Sequence, residues 1–170
     1  MIKFLYIILI PLLTVLDQII KYFVVAYLKP IGFVTLIPGL LELRYLENSG
    51  AAFGIFQNMT WFFALATVII TLLIGFYLIK NKPVHPLERA SAIMIIAGGF
   101  GNLIDRLFIG YVIDYINVIF FGYIFNFADC LVVVGVSLFI FYTLFIFKDG
   151  KKNKEIDENS EIKEENDTNI

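Results

Sequence analysis

Gly101-Asn102-Leu103-Ile104-Asp105-Arg106 closes one long apolar run, and Phe125-Asn126-Phe127-Ala128-Asp129 opens the next. Between them lies Tyr111-Val112-Ile113-Asp114-Tyr115-Ile116, β-branched and aromatic. The passage reads as helix end, strand and helix start, with polar residues gathered at the junctions. It holds Asp105, Asp114 and Asp129; outside a charged C-terminal tail the only other aspartate is Asp17. Each lies at or near an end of an apolar segment. A carboxylate in or beside a bilayer is expensive, so four at one depth suggest a site.

The rest of the chain supports a membrane setting. Hydrophobic residues make up 59 % of it and aromatic residues 16 %, with mean hydropathy +0.84. Residues 148–170 carry eight acids and five lysines and no aromatic residue, the composition of a solvated, disordered tail. Neither part is basic enough for nucleic-acid binding. The single cysteine, Cys130, excludes an intrachain disulfide, and with one histidine, His85, there is no Cys/His metal cluster.

Crossing a bilayer core takes about 20 helical residues. Four runs qualify: Phe4 to Ala26, Thr60 to Ile79, Leu87 to Leu107 and Ala128 to Phe147. The fold class expected is thus a polytopic α-helical membrane protein, residues 1–147, followed by the tail. Lys3 before an apolar stretch resembles a signal peptide, but Asp17, Gln18 and Lys21 follow where a small-residue cleavage site would stand, so an uncleaved span is expected. Lys3, Lys80, Lys82, Arg89, Lys148, Lys151, Lys152 and Lys154 share one side, against Lys21, Lys29, Arg44 and Arg106 on the other. That bias puts both termini in the cytoplasm. At 1.5 Å per residue, Asp17 lies about 20 Å along the first helix from Lys3. All four aspartates then converge on the outer membrane surface.

The outer loops, residues 27–59 and 108–127, carry strand patterns. Val34 to Ile37, Pro38-Gly39 and Leu41 to Leu46 read as strand, turn, strand, with Glu42 and Arg44 alternating against Leu41, Leu43 and Tyr45. With Tyr111 to Ile116 and Tyr123 to Phe127 they predict a small extracytoplasmic β-sheet that satisfies its own backbone groups and holds Asp114 over the helix ends. The inner loop, Lys80 to Pro86, is short and contains His85.

Two carboxylates held close in a partly dry site cannot both ionise cheaply, so one keeps a proton. The ionised one can take a proton from water while the neutral one hydrogen-bonds the carbonyl under attack. Asp114 and Asp129 suit this chemistry. The plainer alternative, which spacing alone slightly favours, is that Asp129 only caps the fourth helix and Asp114 is a solvated loop residue.

The ordered set Asp17-Gln18-Ile19-Ile20-Lys21, Asn48-Ser49-Gly50-Ala51-Ala52-Phe53, Gly101-Asn102-Leu103-Ile104-Asp105-Arg106, Val112-Ile113-Asp114 and Phe125-Asn126-Phe127-Ala128-Asp129 resembles the motifs of bacterial lipoprotein signal peptidase, signal peptidase II. The resemblance covers residues 1 to about 147. In that family a Gly-Gly pair usually stands a little earlier before Gly-Asn; here Ala97-Gly98-Gly99-Phe100 precedes Gly101, which still leaves small residues for close helix packing.

The resemblance implies an aspartic endopeptidase of the bacterial inner membrane, without cofactor or metal. Its catalytic residues would be Asp114 and Asp129, and its substrate a prolipoprotein cut just before a cysteine that already carries diacylglycerol. Its other partner would be membrane lipid, and a monomer is expected. Asn102, Arg106 and Asn126 are then candidates for substrate backbone or lipid ester carbonyls, and Asn48 and Gly50 for a turn that a substrate backbone approaches. Arg106 is otherwise a snorkelling interfacial residue. Asp17 and Lys21, one helical turn apart, are expected to pair as a structural brace. Asp105 is expected to orient Arg106 or the loops rather than act as a third catalytic carboxylate. Cys130 is expected to pack, and His85 to be a loop residue on the opposite face. Asn58-Met59-Thr60 matches a glycosylation sequon by spacing alone and carries no weight so close to the second span. Two rivals remain from the residues themselves. One is a metal-dependent hydrolase with Asp105, Asp114 and Asp129 as oxygen ligands. The other is a small proton-coupled transporter or channel subunit, disfavoured by apolar midplanes and the lack of a repeat.

Overall fold

A computed structural model describes residues 2–50, 59–81 and 85–147. Ala51 to Gly54, Lys82 and the tail from Lys148 lie outside the described residues, and with them the expectations placed there. Each apolar run is helical. The helices are α1 (Ile2–Phe23), α2 (Thr60–Asn81), α3 (Pro86–Phe108) and α4 (Phe127–Phe141). Two end in wider, π-type turns, Val24–Leu28 after α1 and Tyr142–Phe147 after α4. All four helical stretches are long and apolar enough to cross a membrane.

Two boundaries differ from expectation for local reasons. Lys80 and Asn81 stay in α2 instead of opening the loop. His85 does more than sit in a loop, because it N-caps α3. Its Nδ1 accepts the Leu87 N–H at 3.3 Å, Pro86 supplies the pre-set first helical residue, and its ring stacks on Tyr142 at 5.0 Å.

The sheet is antiparallel, in the order β1-β2-β3-β4, with β1 at Phe33–Ile37, β2 at Leu41–Asn48, β3 at Val112–Val118 and β4 at Ile124–Phe125. Pro38-Gly39 makes the expected turn: Leu40 N–H bonds Ile37 C=O at 3.0 Å, and Gly39 takes φ +73, open to glycine at no steric cost. β4 is shorter than the expected strand because Phe127 starts α4.

The first four residues of β3, Val112 to Tyr115, are buried on both faces, and the two-residue alternation sorts them. Ile113 and Tyr115 pack on Val24 and Leu28, where α1 runs into its π turn. Val112 and Asp114 point to the other side, into a cleft.

Among the helices, α3 is central and lies against the other three. Its glycines let α4 come close. A Cβ on Gly98 would sit 2.4 Å from the Ala128 carbonyl oxygen, and one on Gly101 would sit 2.5 Å from Asp17 Oδ2. From the α4 side, a Cβ on Gly135 would sit 2.9 Å from the Ser91 carbonyl oxygen. With little hydrophobic drive between helices in lipid, such close approach is what holds them. The sheet, the end of α3 and the start of α4 thereby meet at one end of the bundle.

Candidate active site

The sequence that starts α4 also starts the site. Asn126 and Asp129 form a reciprocal cap. Asn126 Oδ1 accepts the Asp129 N–H at 2.9 Å, and Asp129 Oδ2 accepts the Asn126 N–H at 3.2 Å. Capping thus occupies one carboxylate oxygen. The other, Oδ1, accepts Asn102 Nδ2 at 2.7 Å from the last turns of α3. Asp129 caps the helix and also faces the cleft.

Asp114 is not a solvated loop residue; it is 1 % exposed. In the β2–β3 register Asn48 opposes Val112 and Leu46 opposes Asp114, so Asn48 and Asp114 are diagonal neighbours on one face. Asn48 Nδ2 donates to Asp114 Oδ2 at 2.8 Å, and Asn126 Nδ2 donates to Asp114 Oδ1 at 2.6 Å. Burial first, and then the neighbouring Asp129 charge, push the Asp114 carboxyl up to about 7, against the pull of these two amides.

Three asparagines follow one rule here. Each carbonyl oxygen is held by a group that can only donate, so each NH2 turns toward a carboxylate. Gly50 N–H holds Asn48 Oδ1 at 3.0 Å, Asp129 N–H holds Asn126 Oδ1, and Lys21 Nζ holds Asn102 Oδ1 at 3.0 Å. Asn126 Nδ2 also reaches Asn102 Oδ1 at 3.1 Å, which joins the two carboxylates through a chain of amides.

Behind this layer lies a buried ionic cluster. Lys21, 2 % exposed, pairs with Asp17 at 2.9 Å and with Asp105 at 2.8 Å. Asp17 Oδ1 accepts the Ala128 N–H at 3.1 Å, at the positive end of α4. Asp105 Oδ2 accepts the Ile113 N–H at 3.1 Å, and Gln18 donates to Asp105 Oδ1 and to the Gly101 carbonyl, both at 3.0 Å. The cluster ties α1, α3, α4 and β3 together. Asp105 faces Lys21 and the β3 backbone. Its carboxylate bonds the β3 backbone and not Arg106, which lies elsewhere. Arg106 lies over the Phe63 ring at 5.6 Å, with Nη1 3.4 Å from the Asn102 carbonyl oxygen.

The cleft has a volume of about 740 Å³. Asp114, Asp129, Asn48, Gly50, Asn102 and Arg106 line it, with Phe63, Phe125 and Val133 among its apolar walls. Asn126 is fully buried behind the carboxylates and is not among the lining residues.

A family model described as "Signal peptidase (SPase) II" matches residues 9–145, most of the chain. This chain belongs to the signal peptidase II family. Proteins named lipoprotein signal peptidase resemble it closely. That of Caldanaerobacter subterraneus subsp. tengcongensis is 42 % identical over 144 residues, covering 85 % of this chain and 97 % of that protein. That of Clostridioides difficile is 42 % identical over 142 residues, covering 83 % and 95 %. Two solved bacterial membrane enzyme structures, determined by the in meso method, are each 33 % identical. One superposes with TM-score 0.74 over 86 % of this chain and 90 % of that one, the other with 0.73 over 83 % and 93 %.

As a signal peptidase II family member the chain is a peptidase, and its four apolar helices make it a membrane protein. Gln18, Tyr115 and Thr60 also make hydrogen bonds around the site, a part that the sequence reading did not give them. The Tyr115 hydroxyl accepts the Phe127 N–H at 3.2 Å. The Thr60 hydroxyl lies 3.0 Å from the carbonyl oxygens of both Ser49 and Gly110. Gln18 adjoins Asp17 in the motif, and its amide was the only available signal.

Proposed function

We propose that this chain is an aspartic endopeptidase that removes signal peptides from diacylglyceryl-modified prolipoproteins, cutting just before the lipidated cysteine. The observation that carries the reading is the pair Asp114 and Asp129. Asp114 is buried and Asp129 half-buried; the two are joined through Asn126 and Asn102 and line one cleft at the sheet end of the bundle. The relatives named above are lipoprotein signal peptidases, which supplies the substrate class.

One proton is shared across the pair, since two neighbouring carboxylates in a dry site resist double ionisation. The ionised member removes a proton from water as the oxygen attacks the scissile carbonyl. The neutral member gives its hydrogen bond to that carbonyl oxygen, and the developing negative charge is stabilised there. Collapse of the tetrahedral intermediate breaks the C–N bond, and the amine leaves with a proton from the pair. Arg106 and Asn102, on the cleft wall, are placed for substrate or lipid ester carbonyls. Asn126, expected to share that task, has both amide ends committed and serves to orient the carboxylates.

Orientation follows from the charge bias: both termini are cytoplasmic and the cleft opens at the outer face of the bacterial inner membrane. A diacylglyceryl group holds its cysteine at that surface, so the scissile bond arrives at the depth of the pair. Asp105, spent on Lys21, Gln18 and the Ile113 N–H, does not join Asp114 and Asp129 as a third oxygen ligand, which argues against the metal-dependent alternative.

The test is cleavage of a synthetic diacylglyceryl prolipoprotein beside its unlipidated form, in lipid, with and without chelator. The lipidated form is expected to be cut much faster, with or without chelator. Equal rates for the two forms, or loss of cleavage with chelator, would overturn the reading.

A further inference from the structure

Two of the three donors that set the asparagine amides are backbone N–H groups, which side-chain changes do not remove. The third is the Lys21 ammonium. It has three protons and no acceptor, and they go to Asp17 Oδ2, Asp105 Oδ2 and Asn102 Oδ1. An amide opposite a donor-only group must present its oxygen. Asn102 therefore turns its NH2 to Asp129 Oδ1, at 2.7 Å.

We infer that Lys21 is a positioning residue for the peptidase reaction: through Asn102 it keeps an N–H donor aimed at Asp129, on the reading that Asp114 and Asp129 form the reacting pair. Without the ammonium, Asn102 Oδ1 keeps, among the described residues, only the Asn126 Nδ2 contact at 3.1 Å, and the amide can turn over. A turned amide would set a carbonyl oxygen against the Asp129 carboxylate and oppose its ionised form. Among the described residues, the titratable and charged groups around Asp129 are Asp114, Lys21, Arg106, Tyr115 and Cys130. Among them Lys21 bonds the Asn102 side chain, whereas Arg106 reaches its backbone carbonyl at 3.4 Å. The ionic cluster thus does more than brace α1. Its lysine sets the polarity of the amide chain that ends on the carboxylates.

The test uses the full-length chain in lipid and two charge-balanced variants, Lys21→Met with Asp17→Asn and Lys21→Gln with Asp17→Asn. Each removes one positive and one negative charge. Met cannot donate a hydrogen bond, whereas Gln can. The Met variant is expected to lose roughly 10-fold or more in kcat with little change in KM, and the acidic limb of its pH–rate profile should move to higher pH by about half a unit or more. The Gln variant should recover most of both. A purely structural brace would lower stability in both variants while kcat per folded molecule and the pH profile stayed as in the parent; that result overturns the inference.

A second measurement needs no variant. In the parent chain, the Asn102 side-chain NH2 resonance, observed with 15N-labelled asparagine, should shift as the carboxylate pair titrates. A resonance indifferent to that titration overturns the inference, whether or not the variants fold. The peptidase reading fails separately: it falls if Asp129→Asn cleaves normally, an outcome to which the Asn102 resonance is blind.

Discussion

Asn126 stands between Asp114 and Asp129, with Nδ2 2.6 Å from Asp114 Oδ1 and Oδ1 2.9 Å from the Asp129 backbone nitrogen. One side chain thus caps α4 and orients a carboxylate on β3. Asn126→Ala is expected to cost about 1 kcal/mol from the lost cap, more if Asp114 is left short of a donor. Activity should fall roughly 100-fold, beyond what the stability loss explains. Thermal unfolding and steady-state cleavage, measured on the same preparation, separate the two.

Asp114→Asn and Asp129→Asn should each retain the fold and lose cleavage by at least about 10³-fold, with the double variant little worse than either single one. Residues acting as a unit are non-additive in this way. Normal turnover by either variant would remove the pair from the mechanism.

Asp114 also sets a pH dependence. Its carboxyl is raised to about 7 in the fold, so the folded state holds a proton that the unfolded chain releases near its ordinary value of 3.8. This favours folding at low pH and is lost as pH rises through about 7. Asp114→Asn, which never ionises, should therefore unfold at a higher temperature than the parent at pH 8, by roughly 2–4 °C for each kcal/mol recovered, with the gap closing toward pH 4. In the parent, cleavage should decline above about pH 7 as the pair loses its shared proton.

Gly101→Ala would place its Cβ 2.5 Å from Asp17 Oδ2 and 3.1 Å from Ala128 Cβ. It should destabilise by about 1–3 kcal/mol through overpacking, and disturb the Asp17–Lys21 pair. Gly75→Ala on α2 meets nothing within 4 Å and should be neutral or slightly stabilising. Chemical or thermal unfolding of the two variants gives the comparison.

Arg106→Ala removes a cation from the cleft wall and from the Phe63 ring. If it holds substrate carbonyls, KM for the lipidated substrate should rise about 10-fold or more with a smaller change in kcat. Saturation kinetics on the lipidated substrate read this split directly.

Much of the scaffold was legible from local pattern. Runs of about 20 apolar residues become helices because a bilayer leaves the backbone few other ways to satisfy itself. Pro38-Gly39 turns the chain because proline and glycine supply the two dihedrals that the turn needs. Asp17 and Lys21 pair because one helical turn separates them. These are relations between neighbours in sequence.

The wiring of the site was decided only by tertiary structure. The sequence by itself determined the four helices, the strand pattern and the polar residues at their ends. It could not assign Asp105 to Lys21, or Asn126 to the carboxylates instead of the cleft wall. Each of those depends on partners brought together by the fold: Lys21 meets Asn102 across 81 positions, and Ala128 meets Asp17 across 111. A buried polar group takes whichever partner satisfies it, and that partner is chosen by helix packing, here by the glycines that let α3 and α4 close on one another.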